Sequence, residues 1–149
     1  MSMDTVDRER PVAKGTPMAT SSEHQLEVVR RAFDAFQAGD ADRLKKILAP
    51  NVHYRVAAAG NFTGDYHGVP AVMGFFEQIA RETKRSFRAT PIEMAASGNR
   101  VFVLYKVAGR RDGKTLDSAD VGVFTVTGDA VAEAIFYQSD YPAHAAFWS

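Results

Sequence analysis

Up to about residue 85 the apolar positions recur mainly at helical spacing, and beyond it they alternate with polar ones almost to residue 140. Leu26, Val29, Phe33 and Phe36 share one helical face. Ser22 and Gln25 form a capping-box pair that opens this first helix, and Gly39 stops it. Asp40 caps a short second helix with Leu44, Ile47 and Leu48 inward, ended by Pro50. "NVHYRVA" follows as a strand, with Val52, Tyr54 and Val56 on one face and His53 and Arg55 on the other. "AAAGNFTGDYHG" reads as a glycine-rich loop. Pro70 fits the first turn of a third helix, whose buried stripe is Val72, Phe76, Ile79 and Thr83. Four alternating runs, 86–96, 100–110, 115–126 and 130–140, are then separated by "SGN", "RDG" and "TGD", each of which is hairpin-turn chemistry. The prediction is an α+β fold: a cone-shaped α+β barrel with three helices packed on a curved, mostly antiparallel sheet. The closing "YPAHAAFWS" is an apolar tail expected to fold back over that sheet.

Residues 1–21 show no periodic apolar face and read as a disordered leader, leaving 22–149 as one domain. A chain of 149 residues that is 46% hydrophobic and 11% aromatic suits one such domain with a sizeable core. Basic and acidic residues number 18 each, so the signed field that nucleic-acid binding wants is missing. There is no cysteine, which removes disulfides, thiolate nucleophiles and thiolate metal sites. The four histidines, His24, His53, His67 and His144, show no short ligand spacing, so no metal site is expected. No apolar run approaches the roughly 20 residues of a membrane span, and no signal-peptide core follows Met1. A cytoplasmic protein is the expectation.

Alternation decides which side chains meet. Lys106 and Arg110 face solvent, turning Val103, Tyr105 and Val107 inward. Asp120, Gly122 and Phe124 share one face of their strand, and Ala134, Phe136, Gln138 and Asp140 share one of the last. If these faces are the concave ones, Tyr54, Tyr105, Asp120, Gln138 and Asp140 line a pocket floored by Val56, Phe124 and Phe136, with His67 at its mouth. Asp120, between Ala119 and Val121, is expected to be desolvated, hence a neutral or nearly neutral acid able to donate to a substrate oxygen. Asp140 is its expected proton-transfer partner, and Tyr54 or Tyr105 holds the oxygen. The competing structural readings are an ion pair for Asp120 and a cap on the tail for Asp140. Val121, Val123 and Ile135, on the opposite face, form an apolar patch expected to join two copies as a homodimer.

The segments "FDAFQAGDADRLKKILAPNVHY", "GDYHGVPAVMGFFEQI", "RRDGKTLDSADVGVF" and "YQSDYPAHAAFWS", with the order α-α-β-α-β-β-β-β, resemble the SnoaL-like, ketosteroid-isomerase-related members of the nuclear transport factor 2-like superfamily. The resemblance spans Leu26 to Trp148. It implies a cone-shaped pocket between sheet and helices, and often a homodimer. Against ketosteroid isomerases, Asp120 falls on the oxyanion-hole aspartic acid, a worked case of pKa tuning, while the tyrosine position falls on Ala32 and the base position near Val56. Against limonene-epoxide-hydrolase-like members, Tyr54 falls on the tyrosine and Asp140 on the final-strand aspartate, while the Arg-x-Asp pair falls on Val103 and Tyr105. In SnoaL-like cyclases a late-strand aspartate acts as acid–base, and Asp140 is its counterpart. The implied function is cofactor-free acid–base chemistry on a hydrophobic, oxygenated small molecule: isomerisation, polyketide-type cyclisation, or epoxide hydrolysis or hydration. The alternative is a noncatalytic ligand-binding or dimerisation module of the same fold.

Overall fold

The computed structural model describes residues 17–57 and 60–149, with side chains from residue 22 onward. Residues 1–16 of the expected leader lie outside the described residues. The elements are α1 (Pro17–Ala38), α2 (Ala41–Ile47), β1 (Leu48–Val56), a 3₁₀ turn (Gly60–Phe62), β2 (Gly64–His67), α3 (Val69–Glu82), β3 (Arg88–Ser97), β4 (Arg100–Arg111), β5 (Lys114–Thr127), β6 (Ala130–Tyr137) and α4 (Tyr141–Trp148). Helix α1 begins five residues before the expected Ser22, which therefore lies inside the helix and is not its cap. Its end is as read: Gly39 takes φ +67°, and the Asp40 N–H donates to Ala35 O at 2.9 Å. The Asp40 side chain then caps α2 by accepting from the Arg43 N–H.

The six strands form one sheet in the order β2-β1-β6-β5-β4-β3. The β3 to β6 meander is antiparallel throughout, and β1 joins β6 in parallel, with β2 antiparallel at its far edge. Strand β2 was expected to be loop; four residues with Asp65 and His67 outward carry little strand signal, and pairing with β1 makes the element. At the β4–β5 turn Asp112 and Gly113 have φ +50° and +78°, the pair of left-handed residues that a tight hairpin needs. Register shifts at Pro91/Glu93, Leu48/His53 and Thr125/Val126 mark irregularities of the kind that bend strands. The sheet is curved and open, and among the described residues four α-helices, one more than expected, pack on it.

The added helix, α4, is the apolar tail. It closes one end of the core, with Phe147 and Trp148 buried. Trp148 stacks edge-on against Phe62 at 4.8 Å between centroids and against Phe147 at 4.7 Å. Arg111 ties down its end: Nε donates to Glu82 Oε1 at 2.9 Å, and Nη1 donates to the carbonyls of Phe147 and Ser149. Gly60 lets the turn reach this helix, because it has φ +53° and a Cβ there would lie 3.1 Å from the Trp148 main chain. Gly60→Ala is therefore expected to cost about 1–2 kcal/mol from the left-handed backbone, lowering the melting temperature by roughly 2–8 °C in a thermal melt.

Candidate functional site

Between the concave sheet face and the helices lies a cavity with about 110 Å³ of water-accessible space. Its wall is aromatic: Phe33, Phe36, Phe76, Phe124, Phe136 and Trp148 all contribute. An apolar cavity of about 150 Å³ holds benzene, so this one suits a body of about one ring. Phe124 and Phe136 meet edge to face at 5.8 Å over Gly122, where any Cβ would press within 2.9 Å of the Phe124 ring. Gly122 thereby sets the depth of the floor.

The polar groups form a row across three strands. Tyr105 of β4 pairs with Asp120 of β5, and the Val121 to Tyr137 pair puts Gln138, one residue on, beside Asp120. All three line the cavity, as do Tyr54, Val56, Phe124 and Phe136. Seven of the nine expected residues are thus brought together. Asp140 and His67 are not among them. Strand β6 ends at Tyr137, and Asp140 is exposed, with its carboxylate accepting from the Ala143 N–H at 3.0 Å as the N-cap of α4. The signal for that cap was the proline two residues on. His67 stacks on His53, rings 4.3 Å apart and 7° from parallel, and lines no part of the cavity. Beside them Asp65 accepts from or faces His53 Nε2 at 2.7 Å, and that contact holds its carboxyl below the usual range.

The residue the sequence reading passed over is His144. It sits on α4, 4% exposed, and its Nε2 lies 2.7 Å from Asp120 Oδ2. That is ion-pair distance, without the straight alignment of an ideal hydrogen bond. Asp120 Oδ1 accepts from Ser118 Oγ at 2.7 Å, the Ser139 N–H at 3.0 Å and Ser139 Oγ at 3.3 Å. The available signal was one histidine in an otherwise apolar tail.

These partners correct the expected charge of Asp120. Burial pushes its carboxyl pKa up, but His144, the Ser139 N–H and the Ser118 hydroxyl together outweigh that and hold it below the usual carboxylate range. Asp120 is a carboxylate at neutral pH, an acceptor and not a donor. The neutral donors are the phenols: burial raises the pKa of Tyr54, and burial followed by the Asp120 charge raises that of Tyr105. Gln138 Oε1 is buried beside them without a hydrogen-bond partner among the described residues. The depressed Asp120 pKa stabilises the fold fully above the unfolded value of about 3.9, and this contribution is lost as pH falls through the lower folded value. Acid titration of the melting temperature is expected to show this loss, and to show it flattened in Asp120→Asn.

Among the described residues there is no group of three histidine, aspartate or glutamate side chains able to hold a metal ion, and no helix is long and apolar enough to cross a membrane. The chain is 27% identical over 125 residues to an uncharacterized protein of Mycobacterium tuberculosis, covering 83% of this chain and 95% of that one. Among solved structures, Bal32a from a soil-derived mobile gene cassette superposes with TM-score 0.84 at 27% identity, over 87% of this chain and 99% of the other. A putative polyketide cyclase from Sinorhizobium meliloti shares the fold with TM-score 0.63 at 23% identity, over 74% and 93% of the two chains. Residues 29–134 match the SnoaL-like domain, and the chain belongs to the SnoaL-like family.

Proposed function

We propose that this protein is a cofactor-free acid–base enzyme that moves a proton on a small, hydrophobic, oxygenated molecule. The observation that carries the reading is the buried Asp120–His144 pair at 2.7 Å, facing an aromatic cavity. Asp120, fixed by two serines, holds one face of the imidazole, and with Nε2 turned to it Nδ1 is the nitrogen left for a ligand. A histidine so held is positioned to take a proton from a ligand and return it as general base and acid. Tyr54 and Tyr105, kept protonated, donate to the oxygen on which charge develops. The cavity contains one carboxylate, since Asp140 lies outside it, and this favours proton transfer beside a carbonyl, as in isomerisation or aldol-type cyclisation, over epoxide hydrolysis. The test is conversion of a β,γ-unsaturated cyclic ketone to its conjugated isomer, followed by ultraviolet absorbance. Wild-type acceleration that is absent in His144→Gln supports the reading, and equal rates contradict it.

We further propose that two copies pair through the convex sheet face. Strand register brings Phe102, Val123 and Ile135 into one row and Leu104, Val121 and Tyr137 into the next, and Phe102 and Tyr137 are 41% and 56% exposed. Such a continuous apolar face suits an isologous contact. Light scattering is expected to give twice the 16.3 kDa chain mass, and Val121→Lys to return it to the single mass; a wild-type monomer at micromolar concentration contradicts the pairing.

A further inference from the structure

A second hollow, with about 360 Å³ of water-accessible space, opens between α1, α2, α3 and the segment leading into β3. It shares Phe36, Leu44, Phe76, Ile79 and Phe87 with the wall of the inner cavity. Three of these are rings linked through Phe36, which lies 5.2 Å from Phe76 and 6.0 Å from Phe87. The two spaces are therefore neighbours across an aromatic partition. The polar character differs sharply between them. Arg85 and Arg88 stand on the rim of the outer hollow, and neither has a carboxylate partner among the described residues. The acid on that rim, Glu77, lies 4.0 Å from Arg81. Arg88 Nη1 donates to the carbonyls of Arg85 and Phe87, which fixes the segment, while the Arg85 guanidinium makes no described bond.

We propose that this outer hollow is a binding site for the carboxylate of an amphipathic ligand whose apolar body passes the Phe36–Phe76–Phe87 partition into the inner cavity. The inner cavity suits a body of about one ring, so a longer molecule extends outward, and the space it reaches is edged by the Arg85 and Arg88 guanidinium groups, which have no carboxylate partner among the described residues. A guanidinium fork matches a carboxylate in shape and charge. The proposal rests on the reading of the inner cavity as a ligand site and narrows its substrate class to hydrophobic acids.

Trp148, the chain's one tryptophan, lines the inner cavity and reports occupancy by fluorescence. The probes are phenylbutyrate and its neutral amide, titrated into the full chain at low salt. Wild type is expected to bind the acid about tenfold more tightly than the amide. Arg85→Asn, which tolerates the φ of +63° at that position, and Arg88→Gln are each expected to reduce that preference while leaving amide affinity unchanged. Should Arg88→Gln lower the melting temperature, Arg85→Asn alone decides. Equal binding of acid and amide by wild type, or a preference that survives Arg85→Asn, overturns the carboxylate site while leaving the inner cavity as a ligand site. Failure of both probes to alter Trp148 fluorescence overturns the inner-cavity reading as well.

Discussion

Replacing His144 with glutamine is expected to slow proton transfer by about 10²–10⁴-fold, the usual contribution of a positioned general base, with ligand affinity changed only a few-fold. The side chain is buried on α4 and meets Asp120 Oδ2 at 2.7 Å. Glutamine retains an N–H for that carboxylate, so Asp120 keeps a donor and the helix keeps its place. What is removed is the imidazole nitrogen that accepts the substrate proton. Rates per folded molecule and melting temperatures measured together separate the two roles: a large loss of rate in protein that stays folded at the assay temperature is the expected result.

Asp120→Asn is expected to damage both stability and rate. Removing one partner of a buried pair costs about 3 kcal/mol or more, or a fall in melting temperature of roughly 6–12 °C for a domain of this size. The asparagine oxygen still accepts from Ser118 and the Ser139 N–H, which leaves its NH₂ facing His144 Nε2. Two donors then oppose each other unless the ring places its proton on Nδ1, and in that tautomer Nδ1 no longer accepts a proton. A loss of about 10³–10⁴-fold follows, on the scale seen when a histidine's orienting carboxylate becomes an amide. Binding per folded molecule of a neutral aromatic ligand, read by Trp148 fluorescence, is expected to persist.

The inward placement of Asp120 was legible because a period of two fixes which strand residues face the helices, and Lys106 and Arg110 anchored the register. Its charge state was not. Ser118 is two residues away on the same strand, but Ser139 and His144 come from beyond β6, and no local pattern records that they converge. Burial alone raises a carboxyl pKa; His144, the Ser139 N–H and the Ser118 hydroxyl reverse the sign. Asp140 illustrates the limit of extending alternation past a strand's end, since β6 stops three residues earlier and the chain turns into α4. Strand β2 was hidden for a related reason: its identity comes from pairing with β1 and not from its own four residues. The start of α2, the hairpin turns and the aromatic floor needed only local rules and were readable, whereas the expected stop at Pro50 was not the end of α2: the helix stops at Ile47, and Leu48 and Pro50 belong to β1, where strand pairing takes over.

The most direct measurement of the central claim follows deuterium uptake at the benzylic carbon beside the carbonyl of phenylacetone, by proton NMR in heavy water, with Trp148 fluorescence recorded on the same samples. That exchange is the elementary proton transfer assigned to His144, and it needs only a small aromatic ketone that fits the cavity. The account predicts saturable acceleration by the wild-type protein that is lost in His144→Gln although the ketone still alters Trp148 fluorescence. Binding by the wild-type protein without any acceleration of exchange would contradict it and identify the domain as a noncatalytic ligand-binding module.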